Sequence, residues 1–235
     1  MEETIHIEVN DQDVDDFRAN GFLQLEQMAS DFELSWLRYV HDSVVKAATG
    51  STPLELQNIP SDELGQVPVI SVNVHESLIT IVSPDQWVPD LNQTHIFHNA
   101  RLIFSQLLGI AEERLRLGWR IFCKLAHGSE TPWHQDAAYR VPPHTGASLW
   151  IPLDPSTAET SCLSYIRRSH LSGFHTHHFH EDHLVAKDVD TSYAITCPRS
   201  AGEAIAHHCL TIHFAGPNTS SRPRRSFSII CNIIE

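Results

Sequence analysis

The sequence lacks long apolar runs, and positive charge is scarce in it. No apolar stretch in the 235 residues approaches the roughly 20 consecutive residues that a membrane-spanning helix needs. The N-terminal sequence MEETIHIEVN is acidic and does not show the basic then apolar order of a signal peptide. Lysines and arginines number 16 against 29 acids, which argues against a surface that neutralises nucleic-acid phosphates or anionic lipid. We therefore expect a soluble cytoplasmic protein with neither a nucleic-acid nor a membrane partner.

A paired cysteine pattern is also missing. The five cysteines are odd in number, widely spaced and mostly set among apolar neighbours, as in IFCKL and SIICNII. This pattern favours buried, reduced thiols over a disulfide framework or a CxxC metal site. The residues concerned are Cys123, Cys162, Cys197, Cys209 and Cys231.

No internal repeat and no low-complexity linker divides the chain. Its length suffices for one large domain with a sizeable core, and a second domain is possible but not required. Helical periodicity dominates the first half and short strand-like runs dominate the second. We expect a helical support region over residues 1–110 and a strand-rich core over residues 118–235.

The first half predicts three helices, each with a recognisable start or end. Asn10 can cap the first helix, and Ser30 with Glu33 forms a predicted capping box for the second. Gly109 closes the third. Residues 51–95 are rich in Pro, Ser, Asn and Asp and are expected to be mostly irregular. The predicted elements are a helix from Asn10 to Asn20, a strand at GFLQLEQ, a helix from Ser30 to Gly50, a short apolar piece at SLITIV and a helix from about His98 to Leu108.

The second half reads as a series of short strands separated by Gly, Pro and His loops. Many short strands after a few helices predict a mainly β fold with some α, an antiparallel sandwich or jelly roll with helices on one outer face. The runs are RIFCKLA, WHQD, ASLWIPL, CLSYI, EAIAHH, LTIHF and RSFSIICNII.

The chemistry concentrates in the segment TPWHQDAAY. In an extended strand alternate side chains share a face, so His134 and Asp136 are expected to point one way and Gln135 the other. The best candidate for a third ligand is His213 in LTIHFAGPN, on a later strand. Two imidazoles and one carboxylate suit non-haem Fe(II) with open positions for a chelating cosubstrate and O2. An isolated HxD, however, often occurs by chance.

A basic strand follows the last of these histidines. Arg224 comes eleven residues after His213, and on a strand Arg224, Ser226 and Ser228 share one face. An arginine with a serine beside it can hold a dicarboxylate through a charge-assisted pair. Arg225 takes that place if the strand register differs by one residue.

Together these motifs resemble the phytanoyl-CoA dioxygenase-like family of Fe(II)- and 2-oxoglutarate-dependent oxygenases. The resemblance implies a double-stranded β-helix, a cupin-like jelly roll, with N-terminal helices packed on its major sheet and one oxygenase domain over residues 1–235. It also implies His134, Asp136 and His213 as the catalytic iron ligands. The matching segments are DDFRANGFLQLE, KLAHGSETPWHQD, SLWIPLD, SCLSYIRRSH and GEAIAHHCLTIHFAGPNTSSRPRR.

The resemblance further implies the cosubstrates and their binding residues. Arg224 is expected to pair with the distal carboxylate of 2-oxoglutarate, with Trp150 near it. The family commonly has a serine where this chain has Ala215, so Ser226 is expected to supply the hydroxyl. Arg168 stands where the family has a glycine, which puts that turn in doubt. The expected cofactors are Fe(II), 2-oxoglutarate and O2, with ascorbate as a possible stimulant.

The expected reaction is oxidation, favouring hydroxylation, of a C–H bond in a small molecule, with release of succinate and CO2. Related members act on acyl-CoA thioesters, amino acids and natural products of secondary metabolism, and the sequence does not separate these. A non-catalytic metal-binding or 2-oxoglutarate-binding member of the fold, and a His2Asp zinc hydrolase, stay open as alternatives. The oligomeric state is left open.

Two further regions border the predicted site. Tyr139 and Arg140 can line the substrate pocket, a cationic Arg140 suiting a carboxylate or phosphate; the alternative is a solvated loop arginine. The run FHTHHFHEDH, residues 174–183, holds five histidines but has no arginine at a useful spacing. We expect a polar loop or part of a lid there, not the metal site.

Overall fold

The computed structural model describes residues 5, 7–50, 72–74, 77–140, 145–180 and 183–234. In these ranges three helices precede or flank a set of antiparallel strands. The helices are α1 Asp11–Asn20, α2 Asp31–Ala48 and α3 His95–Leu108. The strands are β1 Phe22–Leu25, β2 Val72–Val74, β3 Leu78–Val82, β4 Leu115–Lys124, β5 Thr131–His134, β6 Ala147–Pro152, β7 Leu163–Ile166, β8 His177–His180, β9 His183–Ala186, β10 Ala194–Cys197, β11 Ala204–His208, β12 His213–Ala215 and β13 Arg224–Ile233.

Two antiparallel sheets and a separate hairpin organise the strands. The larger sheet has the order β1-β11-β6-β13-β4-β3-β2, and the smaller has the order β10-β7-β12-β5. β8 and β9 form the hairpin. Apart from β2, β3 and β4, the neighbours in each sheet are not consecutive along the chain, as a jelly roll requires, and the predicted fold class is confirmed.

The long strands β4 and β13 separate the core from the site. They pair along all ten residues, so their alternating side chains form two continuous faces. One face carries the buried Trp119, Phe227 and Ile229, which join the main apolar core together with helix residues such as Leu37 and Phe104. The opposite face carries Arg224, Ser226 and Ser228 toward the smaller sheet.

Helix boundaries follow the predicted caps, with one correction. Ser30 Oγ accepts the Glu33 N–H at 3.1 Å, but the Glu33 carboxylate does not return to the cap. It accepts the backbone N–H of His95 at 2.8 Å and so ties α2 to the start of α3. α3 accordingly begins at His95 rather than His98, with Thr94 as its N-cap. A tertiary hydrogen bond has replaced the reciprocal half of the expected capping box.

The turn that carries Arg168 keeps its left-handed backbone without a glycine. Arg168 has φ 65° and donates its N–H to Asn20 O at 3.0 Å. This conformation is strained for a residue with a side chain, so the hydrogen bond to the end of α1 helps to hold it. The turn at Arg168 is therefore left-handed although the residue is not glycine.

Three strands lie where no strand was expected. β8, β9 and β10 form in the region between CLSYI and EAIAHH, and the histidine run folds into a hairpin instead of an irregular loop. Within residues 51–95, β2 also lies in the part expected to be irregular, while residues 51–71, 75 and 76 lie outside the described ranges. The hairpin strands HHFH and HLVA show no polar and apolar alternation, so the sequence carries no period-2 strand signal there.

The cysteine prediction is confirmed, since all five cysteines are buried thiols. Burial raises the pKa of Cys123, Cys197 and Cys209 to about 11, so these thiols stay protonated near neutral pH. Among the described helices, none has both the length and the apolar character to cross a membrane.

Candidate metal centre

The structure brings the three predicted metal ligands together between the two sheets. His134 at the end of β5 lies opposite His213 at the start of β12 in the strand register, and their rings are 4.2 Å apart. Asp136 joins them, and one ligand atom from each residue lies within 4.8 Å of the others. No other group of three such side chains occurs among the described residues.

The HxD geometry differs slightly from the expected strand. β5 ends at His134, and Asp136 begins a 3-10 helix over Asp136–Tyr139. Gln135 between them stays extended, with φ −114° and ψ 136°, so the two ligands still share a face. Gln135 points away and is fully buried. Its amide donates to the carbonyls of Gly173 and Leu210 and accepts from the N–H of His175, anchoring the start of the histidine run.

Backbone carbonyls orient both imidazoles. His134 Nδ1 lies 2.7 Å from Pro132 O, and His213 Nδ1 lies 3.0 Å from Thr211 O. A carbonyl only accepts, so each Nδ1 carries the proton and each Nε2 presents its lone pair to the centre. Burial lowers the pKa of His134, and lowers that of His213 well below its usual range. Both rings are therefore neutral, the state that binds metal.

The two oxygens of Asp136 have different surroundings. Oδ2 accepts a short hydrogen bond from Ser148 Oγ and lies 3.2 Å from His207 Nε2, while Oδ1 lies 3.6 Å from His213 Nε2. Burial acts to raise the pKa of Asp136, but the hydrogen bond from His207 and favourable electrostatic interactions with His213, His207 and Arg140 outweigh it. The pKa therefore lies well below its usual range, and Oδ1 is the oxygen left for a metal.

His207 is a site residue that sequence reasoning missed. An ionised carboxylate accepts hydrogen bonds and does not donate them, so His207 Nε2 carries a proton and donates a hydrogen bond to Asp136 Oδ2. Its Nδ1 then accepts from the hydroxyl of Tyr165, 3.1 Å away and fully buried. The strand EAIAHH contains two adjacent histidines, and alternation places one of them inside the roll. The pattern alone does not say which.

The predicted cosubstrate residues also meet. Arg224 is buried, with its guanidinium carbon 5.2 Å from the centroid of the Trp150 ring. Its Nη1 donates to Ser226 Oγ at 3.0 Å, and Ser226 in turn donates to the carbonyl of Phe122. Arg224 Nε is buried without a hydrogen-bond partner among the described residues. Burial lowers the pKa of Arg224 to about 10, so the side chain stays cationic near neutral pH with an unused donor.

Arg225, the alternative to Arg224, is paired with carboxylates outside the cavity. Its side chain lies on the opposite face of β13 and donates to both carboxylate oxygens of Asp154 at 2.7 and 2.9 Å. It also forms an ion pair with Asp42 at 2.8 Å. The hydrogen bond with Asp154 raises the pKa of Arg225 above its ordinary value. Arg225 therefore ties β13 to α2 and to the end of β6.

The two predicted substrate residues occupy different settings. Tyr139 is 45% exposed, its ring meets His134 edge-on, and its hydroxyl accepts the Leu184 N–H. Arg140 is not a solvated loop arginine, because its side chain is only 9% exposed. Its guanidinium donates to five acceptors, namely Thr145 O, Cys231 O, Asn232 Oδ1, Ala147 O and Ser148 Oγ. A role in substrate binding stays a prediction for both residues.

Two further cations from β4 face the same space as Arg224. Lys124 Nζ donates to Ser129 O at 2.7 Å and to Thr131 Oγ1 at 2.9 Å, and burial, followed by the charge of Arg224, lowers its pKa to about 7. Arg120 lines the cavity beside Asp136. Neither cation was predicted, although alternation along RIFCK places both on one face.

The histidine run lies beside the centre without joining it. His177 Nε2 accepts the backbone N–H of Gln135 at 3.2 Å, and the ring of Phe174 stacks on His177. The hairpin of β8 and β9 thus borders β5.

Comparison with known proteins agrees with this geometry. The chain matches the family described as phytanoyl-CoA dioxygenase (PhyH) over residues 17–226. The chain belongs to this family. A relative from Arabidopsis thaliana named phytanoyl-CoA dioxygenase is 31% identical over 115 residues, which cover 46% of this chain and 41% of the relative. The chain thus matches less than half the length of that curated relative.

Solved structures extend the similarity over the whole fold. EvdO2 from Micromonospora carbonacea var. aurantiaca is 29% identical, with a TM-score of 0.80 over 100% of this chain and 94% of that protein. It has also been solved with 2-oxoglutarate. The epimerase SnoN, solved with Fe3+, alpha ketoglutarate and nogalamycin RO, is 16% identical, with a TM-score of 0.70 over 95% of this chain and 82% of SnoN. At that identity the likeness concerns the fold, which is that of Fe- and 2-oxoglutarate-dependent oxygenases.

Proposed function

We propose that this protein, as one domain over residues 1–235, is an Fe(II)- and 2-oxoglutarate-dependent oxygenase that oxidises a C–H bond of a small molecule, most simply by hydroxylation. The observation that carries this proposal is the buried guanidinium of Arg224, which has an unused donor and faces the His134, Asp136 and His213 cluster. The 2-oxoglutarate complex of EvdO2 supports the same cosubstrate.

The donor set fits iron in this fold. Two neutral imidazoles and one ionised carboxylate would hold Fe(II) and would leave positions open for small ligands. Asp136 can offer only Oδ1, because Ser148 and His207 already donate to Oδ2. A single carboxylate oxygen leaves one more position open than a chelating carboxylate would.

The surroundings of Arg224 fit a dicarboxylate. A buried cation without a counter-ion is costly, and an incoming carboxylate supplies the missing charge. Trp150 packs against the guanidinium, and Ser226 fixes its orientation through Nη1. Apolar side chains from both sheets, including Phe122 and Leu163, also line the cavity.

With iron and 2-oxoglutarate bound, the centre would supply the oxidation of a C–H bond by O2, with release of succinate and CO2. The chain's own residues contribute position and charge. His134 and His213 present neutral Nε2 atoms, and the relay from Tyr165 through His207 holds the Asp136 carboxylate in one rotamer. Ascorbate is expected to stimulate turnover.

Two alternative functions, another reaction of the same fold and zinc-dependent hydrolysis, can be distinguished from hydroxylation. SnoN is named an epimerase, so the same fold serves reactions other than hydroxylation. A His2Asp zinc hydrolase would use the three ligands but has no use for Arg224. Analysis of the product distinguishes hydroxylation from a reaction such as epimerisation. Binding of 2-oxoglutarate distinguishes an oxygenase from a zinc hydrolase.

Anaerobic addition of Fe(II) and 2-oxoglutarate should produce the weak visible charge-transfer band of the chelate. We expect the band in wild type and in the control Arg222→Gln, whose side chain is exposed, and no band in His134→Ala. A folded wild-type protein without the band, or a His134→Ala variant that keeps it, would refute the proposal.

A further inference from the structure

The hairpin of β8 and β9 has two faces with different surroundings. The strand register places His177 opposite Ala186 and His178 opposite Val185, and residues paired in this way share a face. His177 is partly buried and Ala186 is buried, whereas His178 is exposed. The base of the hairpin therefore packs through the face that carries His177, and the side chain of His178 points to solvent.

His177 is held in one orientation and one tautomer. Its Nδ1 lies 2.8 Å from the carbonyl oxygen of His175, and the ring of Phe174 stacks on it with centroids 5.2 Å apart. A carbonyl only accepts, so Nδ1 carries the proton and Nε2 keeps its lone pair. That lone pair accepts the backbone N–H of Gln135 at 3.2 Å. His177 is therefore oriented as an acceptor for this N–H.

The peptide that His177 reaches lies between two predicted metal ligands. Gln135 follows His134 and precedes Asp136, so its φ of −114° and ψ of 136° set the relative direction of the two ligand side chains. Among the described strands, β5 has a neighbour on one side alone, namely β12. Gln135 continues this edge strand and is fully buried, so its outward N–H needs an acceptor from a side chain or water. His177 supplies that acceptor.

A second hydrogen bond ties the other strand of the hairpin to the same segment. The Leu184 N–H of β9 donates to the hydroxyl of Tyr139 at 3.0 Å. Tyr139 ends the short helix that begins at Asp136, and its ring meets the His134 ring edge-on with centroids 5.9 Å apart. Both strands of the hairpin therefore contact the segment that carries two of the three predicted ligands.

We propose that His177 is a positioning residue of the metal centre. It fixes the peptide between His134 and Asp136, and in this way the geometry in which both side chains meet a metal. This role rests on the proposed function for the identity of the centre, and His177 acts through Gln135 rather than as a ligand. The neighbouring His178, on the opposite face of the hairpin, has no part in it.

Co(II) is the probe, since its visible bands report both occupancy and the geometry of its ligands. Metal-free protein is titrated with Co(II), without 2-oxoglutarate, in wild type, in His177→Ala and in the matched control His178→Ala. His177→Gln is the rescue variant, because its side-chain oxygen can accept the same N–H. His177→Asn, whose side chain is too short for this contact, replaces His177→Ala if that variant does not fold.

We expect His177→Ala to bind Co(II) about tenfold more weakly than wild type and to show altered visible bands. His178→Ala should bind Co(II) as wild type does, and His177→Gln should recover most of the loss. A loss that His178→Ala shares, or that His177→Gln does not reduce, overturns the proposed role of His177.

Amide exchange in the metal-free protein tests the contact itself. The Gln135 N–H should exchange about tenfold faster in His177→Ala than in wild type, because a buried N–H loses its acceptor. An unchanged exchange rate shows that His177 does not hold this peptide and overturns its positioning role. Equal Co(II) affinity in wild type and His177→Ala refutes the role of His177 alone, whereas a wild type that binds no Co(II) refutes the proposed function and the positioning role together.

Discussion

The two faces of the β4 and β13 pair contrast sharply. The face toward the helices holds Trp119, Phe227 and Ile229, packed into an apolar core. The face toward the smaller sheet holds Arg120, Lys124, Arg224 and two serines. Neighbouring residues such as Ser226 and Phe227 therefore belong to different environments. The alternation of a strand lets one segment stabilise the fold and build a polar site at once, which predicts that mutations on the two faces have separable effects.

The largest effect on stability is expected from Phe227→Ala. Phe227 is fully buried and its ring meets Trp119 edge-on with centroids 5.3 Å apart. Its removal should lower the free energy of unfolding by roughly 3–5 kcal/mol, measured by urea denaturation. Phe179→Ala, at a side chain that is 68% exposed, is the control and should change it by less than about 0.5 kcal/mol. Equal losses would show that the helix-facing core is not the main source of stability.

Arg224→Met should give the opposite profile. The variant removes a buried charge with an unused donor, so the unliganded protein should unfold at the same or a higher urea concentration. Its affinity for 2-oxoglutarate, measured from the visible band, should fall by about 100-fold, or about 2.7 kcal/mol. A variant that binds 2-oxoglutarate normally, or one that simply fails to fold, contradicts the separation of the two faces.

A smaller effect is expected from the relay behind Asp136. His207→Phe removes a hydrogen bond to Oδ2, and the affinity for Co(II), used as a spectroscopic substitute, should fall about 10- to 100-fold. Tyr165→Phe should produce a weaker loss in the same direction. His208→Gln is the matched control, since it is the next residue on β11 and alternation turns it to the other face. Unchanged metal affinity in His207→Phe would show that Asp136 needs no such support.

The smallest effect is a dependence of stability on pH through Lys124. Its folded pKa of about 7 lies below the ordinary value of 10.5, so the unfolded chain binds more protons between these pH values. The free energy of unfolding should therefore rise with pH across this window, and Lys124→Met should reduce that rise by about 1 kcal/mol or more. Identical slopes for the two proteins would contradict a buried, weakly basic Lys124.

Local sequence patterns were sufficient to predict which residues lie together in a large part of the site. Strand alternation predicted that His134 and Asp136 share a face, and spacing together with the family resemblance pointed to His213 and Arg224. The structure places all four around one cavity. Their proximity could be predicted because each inference depends on geometry within a few residues, or on a motif that the family repeats, and their roles in binding stay predictions.

The remaining features depend on contacts between distant segments. Glu33 bonds to His95, and Arg140 bonds to the carbonyl of Cys231, 91 residues later. Neither partner can be read from local sequence. His207 and Arg120 lie on strands whose pattern shows two faces but does not identify the inner one. The hairpin of β8 and β9 was missed because its strands, HHFH and HLVA, show no polar and apolar alternation.

The central claim is that the inner face of the roll is built to hold a metal and 2-oxoglutarate, and one structure determination tests it directly. Crystals grown without oxygen in the presence of Fe(II) and 2-oxoglutarate should show iron bound by His134, His213 and a single oxygen of Asp136. The distal carboxylate of 2-oxoglutarate should lie on the guanidinium of Arg224. Iron bound elsewhere, or a cosubstrate that does not touch Arg224, would contradict this assignment.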